Sequence, residues 1–308
     1  MSIYISGSLA YDRIMNFPGK FADHILPEKI HILNVCFLID RLEEKRGGTA
    51  GNIAYSLALL GEKPLILGCV GKDFDRYADV LTGLGLPMDG IRRLEDQFTA
   101  GAYITTDQTD NQITGFNPAA MSHPCGYTFP HERPAEDIAI ISPGNLEDMQ
   151  NLPKRFRETG TRYIFDPGQQ ITALSGDAML DAITGSYMLV TNDYELEMIM
   201  KATGRTKAEL LERTKYIITT LGENGSRIDN GEPVIVGAAK AARVADPTGA
   251  GDAFRAGLLK GLVSGQDVVA AARLGATCAS FCVEHYGTQE HTFTMDEFNA
   301  RHKAAFGG

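Results

Sequence analysis

The sequence predicts an α/β protein in three layers, with helices on both faces of a mostly parallel central sheet. Apolar segments of strand length alternate with longer segments of helical spacing, which is the pattern of a parallel sheet. Polar residues follow the predicted strands at Asp12, Asp166, Asn192 and Thr220. Because ligands of such sheets bind at the carboxyl ends of the strands, we expect a functional site at that edge.

The N-terminal part of the chain begins the alternation and then departs from it. Gly61 ends a predicted helix over 52–60, and Gly85 ends a second one over 73–84. Turn residues at 107–110 join two alternating segments into a hairpin. This hairpin stands outside the strand–helix alternation, and residues 13–46 are mixed, with a charged run over 41–46. The predicted elements are strand 1–11, helix 52–60, strand 64–70, helix 73–84 and hairpin 99–116.

The remainder of the chain repeats strand–helix units and contains no long linker, low-complexity segment or internal repeat. The predicted strands are 137–141, 163–166, 186–191 and 216–220. The predicted helices are 145–158, 193–203, 251–263 and 268–283, and a second hairpin spans 226–237.

Composition excludes several classes of function. The chain has 308 residues and a net charge of −10, which argues against a nucleic-acid surface. Apolar runs stay shorter than the roughly 18 residues that a membrane span needs, and the N-terminus lacks the charged region of a signal peptide. We therefore expect a cytoplasmic protein that has no nucleic-acid or membrane partner.

The cysteines and histidines predict neither disulfides nor a metal cluster. The five cysteines form no C-x-x-C pair, and Cys278 and Cys282 lie one helical turn apart in an apolar stretch. The seven histidines show no H-x-x-x-H spacing, which argues against zinc. Reduced, mostly structural thiols fit a reducing cytoplasm.

The segment 246–257, Asp-Pro-Thr-Gly-Ala-Gly-Asp-Ala-Phe-Arg-Ala-Gly, carries the strongest functional signal. The small residues Gly249, Ala250 and Gly251 precede a helix that has Asp252 in its first turn. Free amide groups and the positive end of the helix dipole make such a place an anion site. An anion site beside a carboxylate base suits phosphoryl transfer to a hydroxyl, although Asp near a helix start can also be a simple cap.

Three further segments combine glycine or polar residues with a turn. Gly47-Gly48 before a helix, with Asn52 one turn in, suits a sugar ligand or is a plain loop–helix junction. Asn192 and Glu195 suit Mg²⁺ and its waters, or form a capping box, and through water they can do both. The stretch 220–225, with two glycines after a strand, lets the backbone approach a nucleotide or is a turn.

Two well-known nucleotide motifs are absent from the sequence. Gly71-Lys72 is followed by Asp73 where a Walker A loop needs Ser or Thr, and no glycine stands five residues before Gly71. The first strand carries only Gly7 where a dinucleotide fold needs G-x-G-x-x-G. These absences argue against a P-loop kinase and against a nicotinamide dehydrogenase.

Taken together, the segments resemble the ribokinase-like (PfkB) family of sugar and nucleoside kinases. One family signature fits 47–54 with Gly61 and Gly71, and a second fits 246–257. Two shorter motifs, Asn192-x-x-Glu195 and Thr220-x-Gly222-x-x-Gly225, follow in the family's order, and Asp12 matches the acid after the first strand. The resemblance covers nearly the whole chain.

The resemblance implies a fold and a set of residue roles. A large ribokinase-like α/β/α domain would comprise 1–12, 47–98 and 117–308, and a small β lid over the substrate would comprise 13–46 and 99–116. Asp252 would be the base, and the anion hole for the γ-phosphate would be Gly249, Ala250 and Gly251. Substrate hydroxyls would be held by Asp12, Gly48 and Asn52, and ATP would lie by Thr220, Gly222 and Gly225. Asn192 and Glu195 would organise Mg²⁺. Asp246 and Thr248, with the loop after Val283, would match the potassium site of many family members.

The same resemblance is closest in pattern to bacterial adenosine kinases. The apolar lid and the residues Phe116, Met121 and Pro143 suggest a pocket for an aromatic base, so we expect ATP-dependent phosphorylation of the 5′-hydroxyl of adenosine to AMP, a purine-salvage reaction. A ribokinase- or fructokinase-type sugar kinase is the alternative within the family, and a non-catalytic nucleoside- or sugar-binding regulator is the alternative outside it. The lid has edge strands that could pair between subunits, so a monomer and a homodimer stay open.

Overall fold

The computed structural model describes residues 2–130 and 134–307 and contains one large and one small sheet. The large sheet has nine strands in the order β13-β12-β11-β10-β9-β8-β1-β4-β5, in which β12 pairs antiparallel with both of its neighbours and all other pairings are parallel. Its strands are β1 (Ile3–Ser6), β4 (Leu65–Gly71), β5 (Ile91–Leu94), β8 (Ile138–Ile141), β9 (Arg162–Phe165), β10 (Met188–Asn192), β11 (Tyr216–Thr220), β12 (Ser226–Asp229) and β13 (Val234–Val236). The four-stranded small sheet has the order β3-β2-β6-β7 and consists of β2 (Ala10–Asn16), β3 (Arg41–Gly47), β6 (Ala100–Thr106) and β7 (Gln112–Asn117).

Helices cover both faces of the large sheet, as the strand–helix alternation predicts. They are α1 (Thr49–Leu59), α2 (Asp75–Gly83), α3 (Leu146–Thr159), α4 (Gly176–Ile183), α5 (Asp193–Thr203), α6 (Lys207–Leu211), α7 (Ala250–Val263), α8 (Val268–Cys282) and α9 (Met295–Phe306). One core joins β1 to α1, α2, α7 and α8, and a second joins the sheet to α3, α4, α5 and α6. The predicted three-layer α/β/α architecture is confirmed.

Burial on both faces explains why the central strands have no polar alternation. Ile5 belongs to one core and its neighbour Tyr4 to the other, because successive side chains of a strand point to opposite faces. All four residues of β8 are buried for the same reason. None of the helices in the described ranges is long and apolar enough to cross a membrane.

Among the described residues the small sheet joins the two cores only through Tyr11, and it has the character of a lid. Its strand β7 is exposed at every residue, and the segment between β2 and β3 contains only short 3-10 turns at Phe21–Asp23 and Pro27–Ile32. Asp107 anchors this segment to the hairpin, since its carboxylate accepts hydrogen bonds from the backbone amides of Phe21, Thr109 and Asn111. We call the small sheet with these turns the lid.

The structure departs from the sequence predictions in several elements. Asp12 does not follow the first strand of the large sheet but lies within the lid strand β2, which starts at Ala10. The charged run 41–46 is part of the lid strand β3 and was not predicted as a strand, because its partners are water and another lid strand rather than a core. Elements β5, α4, α6 and α9 were also missed. All five cysteines are free, and four of them are buried.

Candidate active site

Helix α7 begins at the carboxyl edge of the large sheet, and its first turn forms the centre of the site. Gly249 caps it with φ +83°, and a Cβ there would lie 2.9 Å from the Thr288 Cγ2, so only glycine fits. Amide groups at a helix start lack intrahelical acceptors, which leaves this turn able to bind an anion. The amide of Ala250 already donates to the Pro247 carbonyl at 3.2 Å, so it is the least available of the three predicted donors.

Asp252 lies in that first turn, where protein groups enclose most of its carboxylate. Its side chain keeps some contact with solvent but is otherwise enclosed by protein, and this burial raises the pKa of Asp252 to about 6. The nearby Arg255 guanidinium and a hydrogen bond from Asn52 Nδ2 to Asp252 Oδ2, 2.8 Å long, oppose the rise. A carboxylate with a pKa near neutrality is suited to general base catalysis.

Asn52 holds this carboxylate and is itself held from behind. Its Oδ1 accepts hydrogen bonds from Thr288 Oγ1 at 2.8 Å and from Gln289 Nε2 at 2.9 Å. Gln289 Nε2 also donates to the Tyr77 hydroxyl, which donates to the Gly47 carbonyl at the end of β3. The sequence predicts Asn52 as a sugar ligand, whereas the structure commits one of its two N–H groups and its oxygen to positioning Asp252.

The functional residues missed at the sequence level are Tyr77, Arg255, Thr288 and Gln289. Tyr77 is fully buried in α2 and is indistinguishable in sequence from a core aromatic residue. Arg255 had a detectable signal, because a charged residue inside the apolar run of α7 needs a buried partner. Thr288 and Gln289 reach Asn52 from more than 200 positions along the chain, a distance that local pattern reasoning does not bridge.

Asp12 extends from the lid and has a carboxylate that no protein group engages within the described residues. Burial raises its pKa. A Cβ at Gly47 would come within 2.7 Å of Asp12 Oδ2, so Gly47 makes room for the carboxylate. Gly48 has φ +86°, and a Cβ there would lie 2.6 Å from the Ser8 carbonyl oxygen. A glycine is therefore required where the chain turns into α1. An unpaired, partly buried carboxylate is suited to accept hydrogen bonds from the hydroxyls of a ligand.

The sheet register places Asp12 in a row of side chains on one face of the lid. Asp12 is opposite Lys45 on one side and Ala102 on the other, and Ala102 is opposite Phe116. Directly opposed residues share a face. Lys45 Nζ donates to the carbonyl of Tyr286 in the loop that carries Thr288, so this is the face turned toward the loop that holds Asn52.

The predicted base-pocket residues are only partly brought together. Phe116 is 53% exposed on the face of the lid that carries Asp12, and Met121 packs beneath the lid against Ala10 and Ala100. Pro143 lies instead beside the chain segments that lead into and out of the lid, where its carbonyl accepts hydrogen bonds from the Ser8 amide and the Thr49 hydroxyl. A pocket for a base would therefore be bounded by the lid and by Met121.

Asn192 and Glu195 form a capping box at the start of α5. Asn192 Oδ1 accepts from the Glu195 amide at 2.7 Å, and Glu195 Oε2 accepts from the Asn192 amide at 2.8 Å. Burial and the neighbouring Asp166 charge raise the pKa of Glu195. Asp166, Glu195 and Asp252 place three acids around Arg255, which is the one cation among them in the described part of the chain, and this excess of negative charge suits a divalent ion.

The acids around Arg255 are compatible with a magnesium ion if water and phosphate supply most of its ligands. Within the described ranges no three His, Cys, Asp or Glu side chains are close enough to hold a metal ion between them. Glu195 Oε1 makes no hydrogen bond in the described part of the chain and is the free oxygen of the capping box. Mg²⁺ commonly keeps several waters and few protein ligands in phosphate sites, so the arrangement is compatible with it.

The segment after β11 is divided between an open glycine and a packed one. Gly222 has φ +58° and nothing within 4 Å of the place a Cβ would occupy, so its backbone is accessible. Gly225 has φ +86° and a Cβ there would lie 2.1 Å from the Val236 carbonyl, which makes it a packing residue. Thr220 Oγ1 donates to the Thr191 carbonyl at 3.3 Å. Of these three residues, Gly222 has an open backbone, Gly225 is packed, and the Thr220 hydroxyl is bound within the protein.

Asp246 connects the loop before α7 to the loop after α8. Its carboxylate accepts hydrogen bonds from the Thr248 amide at 2.9 Å and the Gly287 amide at 3.1 Å, and these bonds outweigh burial and lower its pKa. The two loops of the predicted potassium site are thus adjacent. The ion itself stays a prediction.

Comparison with known proteins places the chain in a family. The model of the pfkB family of carbohydrate kinases matches residues 19–294. The chain is 33% identical over 274 residues to a nucleoside kinase of Methanocaldococcus jannaschii, an alignment that covers 88% of this chain and 89% of the relative. Its fold is similar to that of the solved Burkholderia thailandensis nucleoside kinase in complex with inosine, with a TM-score of 0.85, 36% identity, and coverage of 100% of this chain and 99% of the other.

A further solved relative agrees with this placement. The structure of the M. jannaschii nucleoside kinase has a TM-score of 0.88 and 31% identity, and it covers 99% of both chains. The chain belongs to the pfkB family of carbohydrate kinases and is a phosphotransferase.

Proposed function

We propose that this protein is an ATP-dependent nucleoside kinase that transfers the γ-phosphate of ATP to the 5′-hydroxyl of a nucleoside, with adenosine as the predicted acceptor. Support comes from the named relatives, which are nucleoside kinases, and from a Burkholderia relative solved with ADP and inosine. Asp12, Gly48 and Asn52 stay the proposed contacts to the sugar. Thr220 and Gly222 stay the proposed contacts to ATP.

One observation about the lid carries the choice of a nucleoside over a bare sugar. Asp12 shares its face of the lid with apolar side chains, namely Phe116 in the same row and Ile14 and Ile104 in the next. Ile14 and Ile104 are opposite each other and only partly buried. A carboxylate beside an apolar wall suits a ligand with ribose hydroxyls at one end and an aromatic base at the other.

In the proposed reaction Asp252 is the general base. The 5′-hydroxyl oxygen forms a bond to the γ-phosphorus while the bond from that phosphorus to the β–γ bridging oxygen breaks, so that ADP leaves. The hydroxyl proton passes to Asp252 Oδ1, because Oδ2 already accepts from Asn52. The first-turn amides of α7 stabilise the charge on the transferred group.

Magnesium, when bound near Asn192 and Glu195, would neutralise charge on the phosphates. The protein's own part is to orient the reactants and to exclude water as the lid closes, since water in the site would compete with the acceptor hydroxyl. A potassium ion at Asp246 and Thr248 is proposed only as a support for the loops that flank the start of α7.

The test is ATP consumption with Mg²⁺ and K⁺ against adenosine, inosine, guanosine, cytidine, ribose and fructose. We expect turnover on purine nucleosides, highest on adenosine, and none on the free sugars. Turnover on ribose or fructose alone would replace the nucleoside with a sugar acceptor. Nucleoside binding by calorimetry without turnover on any acceptor would favour a binding regulator, against which the intact Asp252 site argues.

A further inference from the structure

A buried ion pair lies beside Asp252 and has no part in the reaction as described so far. Arg255 and Asp166 are 6% and 1% exposed. Arg255 Nη2 donates to Asp166 Oδ1 at 2.7 Å, and Arg255 Nε donates to Asp166 Oδ2, so the pair is bidentate. Asp166 directly follows β9, at the same sheet edge as Asn192 and Thr220.

The third hydrogen bond of Arg255 connects the pair to the phosphate-binding turn. Arg255 Nη1 donates to the Gly251 carbonyl at 3.0 Å. A Cβ at Gly251 would lie 2.9 Å from the same Nη1, so the guanidinium packs directly on this residue. The orientation of the Gly251 peptide, and with it the first turn of α7, is thereby fixed relative to the end of β9.

Stability alone does not account for this pair. Burying two charges costs desolvation that their attraction often fails to offset, and well-packed apolar residues would serve equally well. The charge environment supplies another reason, because Asp166 and Glu195 raise the pKa of Asp252 while Arg255 lowers it. Without Arg255, the carboxylates of Asp166, Glu195 and Asp252 would meet the incoming phosphates with no cation from the described part of the chain among them.

We propose that Arg255 and Asp166 act as one positioning unit for phosphoryl transfer, which orients the Gly251 turn and offsets the negative charge around Asp252. This inference rests on the proposed function. Neither residue touches the reacting atoms, so the unit acts through Gly251 and Asp252. It is needed in the chemical step and not for holding the nucleoside, whose proposed contacts are on the lid and α1.

The experiment compares Arg255→Met, Arg255→Lys, Asp166→Asn and the double variant Arg255→Met/Asp166→Asn. Each is measured for kcat, for KM of nucleoside and ATP, for nucleoside affinity without ATP, and for thermal unfolding. Arg157→Met is the matched control, because it removes another arginine that donates to an aspartate carboxylate, that of Asp181, and to the backbone carbonyls of Asp181 and Thr184.

We expect Arg255→Met and Asp166→Asn each to lower kcat by roughly 10²-fold, since small misplacements of a catalytic group have effects of that size. Nucleoside affinity should stay within about 2-fold of the wild type because the lid contacts are intact. The double variant should lose no more than either single one, as residues that act as a unit are non-additive. Arg255→Lys should recover part of the loss, and it carries the same test if Arg255→Met does not fold.

Other results would overturn the unit. Variants that unfold at lower temperature but keep wild-type kcat, as we expect of the control, would make the pair purely structural. Additive losses in the double variant would mean that the two residues act separately, and a rise in nucleoside KM at constant kcat would assign the pair to binding. A wild type that is inactive on every acceptor would instead refute the proposed function, so the two failures are distinguishable.

Discussion

The start of α7 and the inner face of the lid form the two sides of the site, and they are built in opposite ways. Around Asp252 the side chains hold one another by hydrogen bonds: Asn52 donates to Asp252, Gln289 donates to Asn52, and Arg255 donates to Asp166. On the lid the Asp12 carboxylate has no partner in the described part of the chain, and Phe116 is 53% exposed. One side is held in place by its own hydrogen bonds, and the other leaves its surface open.

This difference indicates that the protein is rigid around Asp252 and more adaptable on the lid. Electrostatic catalysis needs donors and charges fixed before the reaction, because reorganising them raises the barrier. Recognition can be completed by a closing lid that brings its own side chains to the substrate. Changes near α7 should therefore act on kcat, and changes on the lid should act on the KM of the acceptor.

The largest expected effect follows from Asp252→Asn. Removal of a general base should lower kcat by roughly 10²- to 10⁴-fold, while binding of nucleoside persists. Steady-state kinetics and calorimetry measure the two quantities. A variant with wild-type kcat would exclude Asp252 as the base and would also weaken the contrast between the two sides.

The same Asp252→Asn variant should lose activity but be at least as stable as the wild type at pH 7. The folded protein raises the pKa of Asp252 to about 6 from its ordinary value of 3.8. The stabilising contribution of Asp252 to the free energy of unfolding is therefore fully present below its ordinary pKa, and it is lost as pH rises through about 6. Asp252→Asn should unfold at the same or a higher temperature than wild type at pH 7, and at the same temperature or a lower one near pH 3.

The pH dependence of activity depends on the same carboxylate. Because the ionised form of Asp252 accepts the proton, kcat/KM should fall about tenfold per pH unit below its pKa near 6. A profile from pH 5 to 9 measures it, with a coupling enzyme that is not limiting at either end. A flat profile down to pH 5 would contradict the assignment of Asp252 as a base with a raised pKa.

Asp12→Asn tests the lid side directly. Loss of the carboxylate should raise the nucleoside KM by roughly 10- to 100-fold, because substrate hydroxyls lose a charge-assisted acceptor. The KM for ATP and the value of kcat at saturation should change little. If kcat falls instead, Asp12 belongs with the catalytic groups and the two sides are not separable.

Gln289→Leu tests whether the support behind Asn52 matters for chemistry. It removes the donor to Asn52 Oδ1 and to the Tyr77 hydroxyl at similar volume. We expect kcat to fall by about 10-fold through a less fixed Asp252, with nucleoside affinity nearly unchanged. An unchanged kcat would show that Asn52 needs only Thr288.

The smallest effect is expected from Phe116→Ala. Loss of an aromatic wall should raise the nucleoside KM several-fold and leave kcat unchanged. Ile113→Ala is the matched control, since Ile113 is on the same strand, is 47% exposed and lies on the opposite face of the lid. Equal effects of the two variants would mean that the row containing Asp12 does not form the base pocket.

Much of the fold could be predicted because its signals are local. The helix 193–203 and the strand 216–220 were predicted at the residues where they occur, since capping residues and continuous apolar runs mark them. The lid strand β3 could not be predicted, because its sequence Arg-Leu-Glu-Glu-Lys-Arg-Gly has no buried face that would produce alternation. Its conformation comes from pairing with β2.

The sequence by itself determined the sheet-and-helix architecture, the glycine-rich start of α7 and the presence of Asp252 in its first turn. These depend on residues within one or two turns of each other, where steric and hydrogen-bonding preferences act directly. Only the tertiary structure decided that Asn52 positions Asp252, that Gly225 packs on β13, and that Arg255 pairs with Asp166. Those contacts join residues far apart in the chain, so they exist only once the sheet brings its carboxyl edge together.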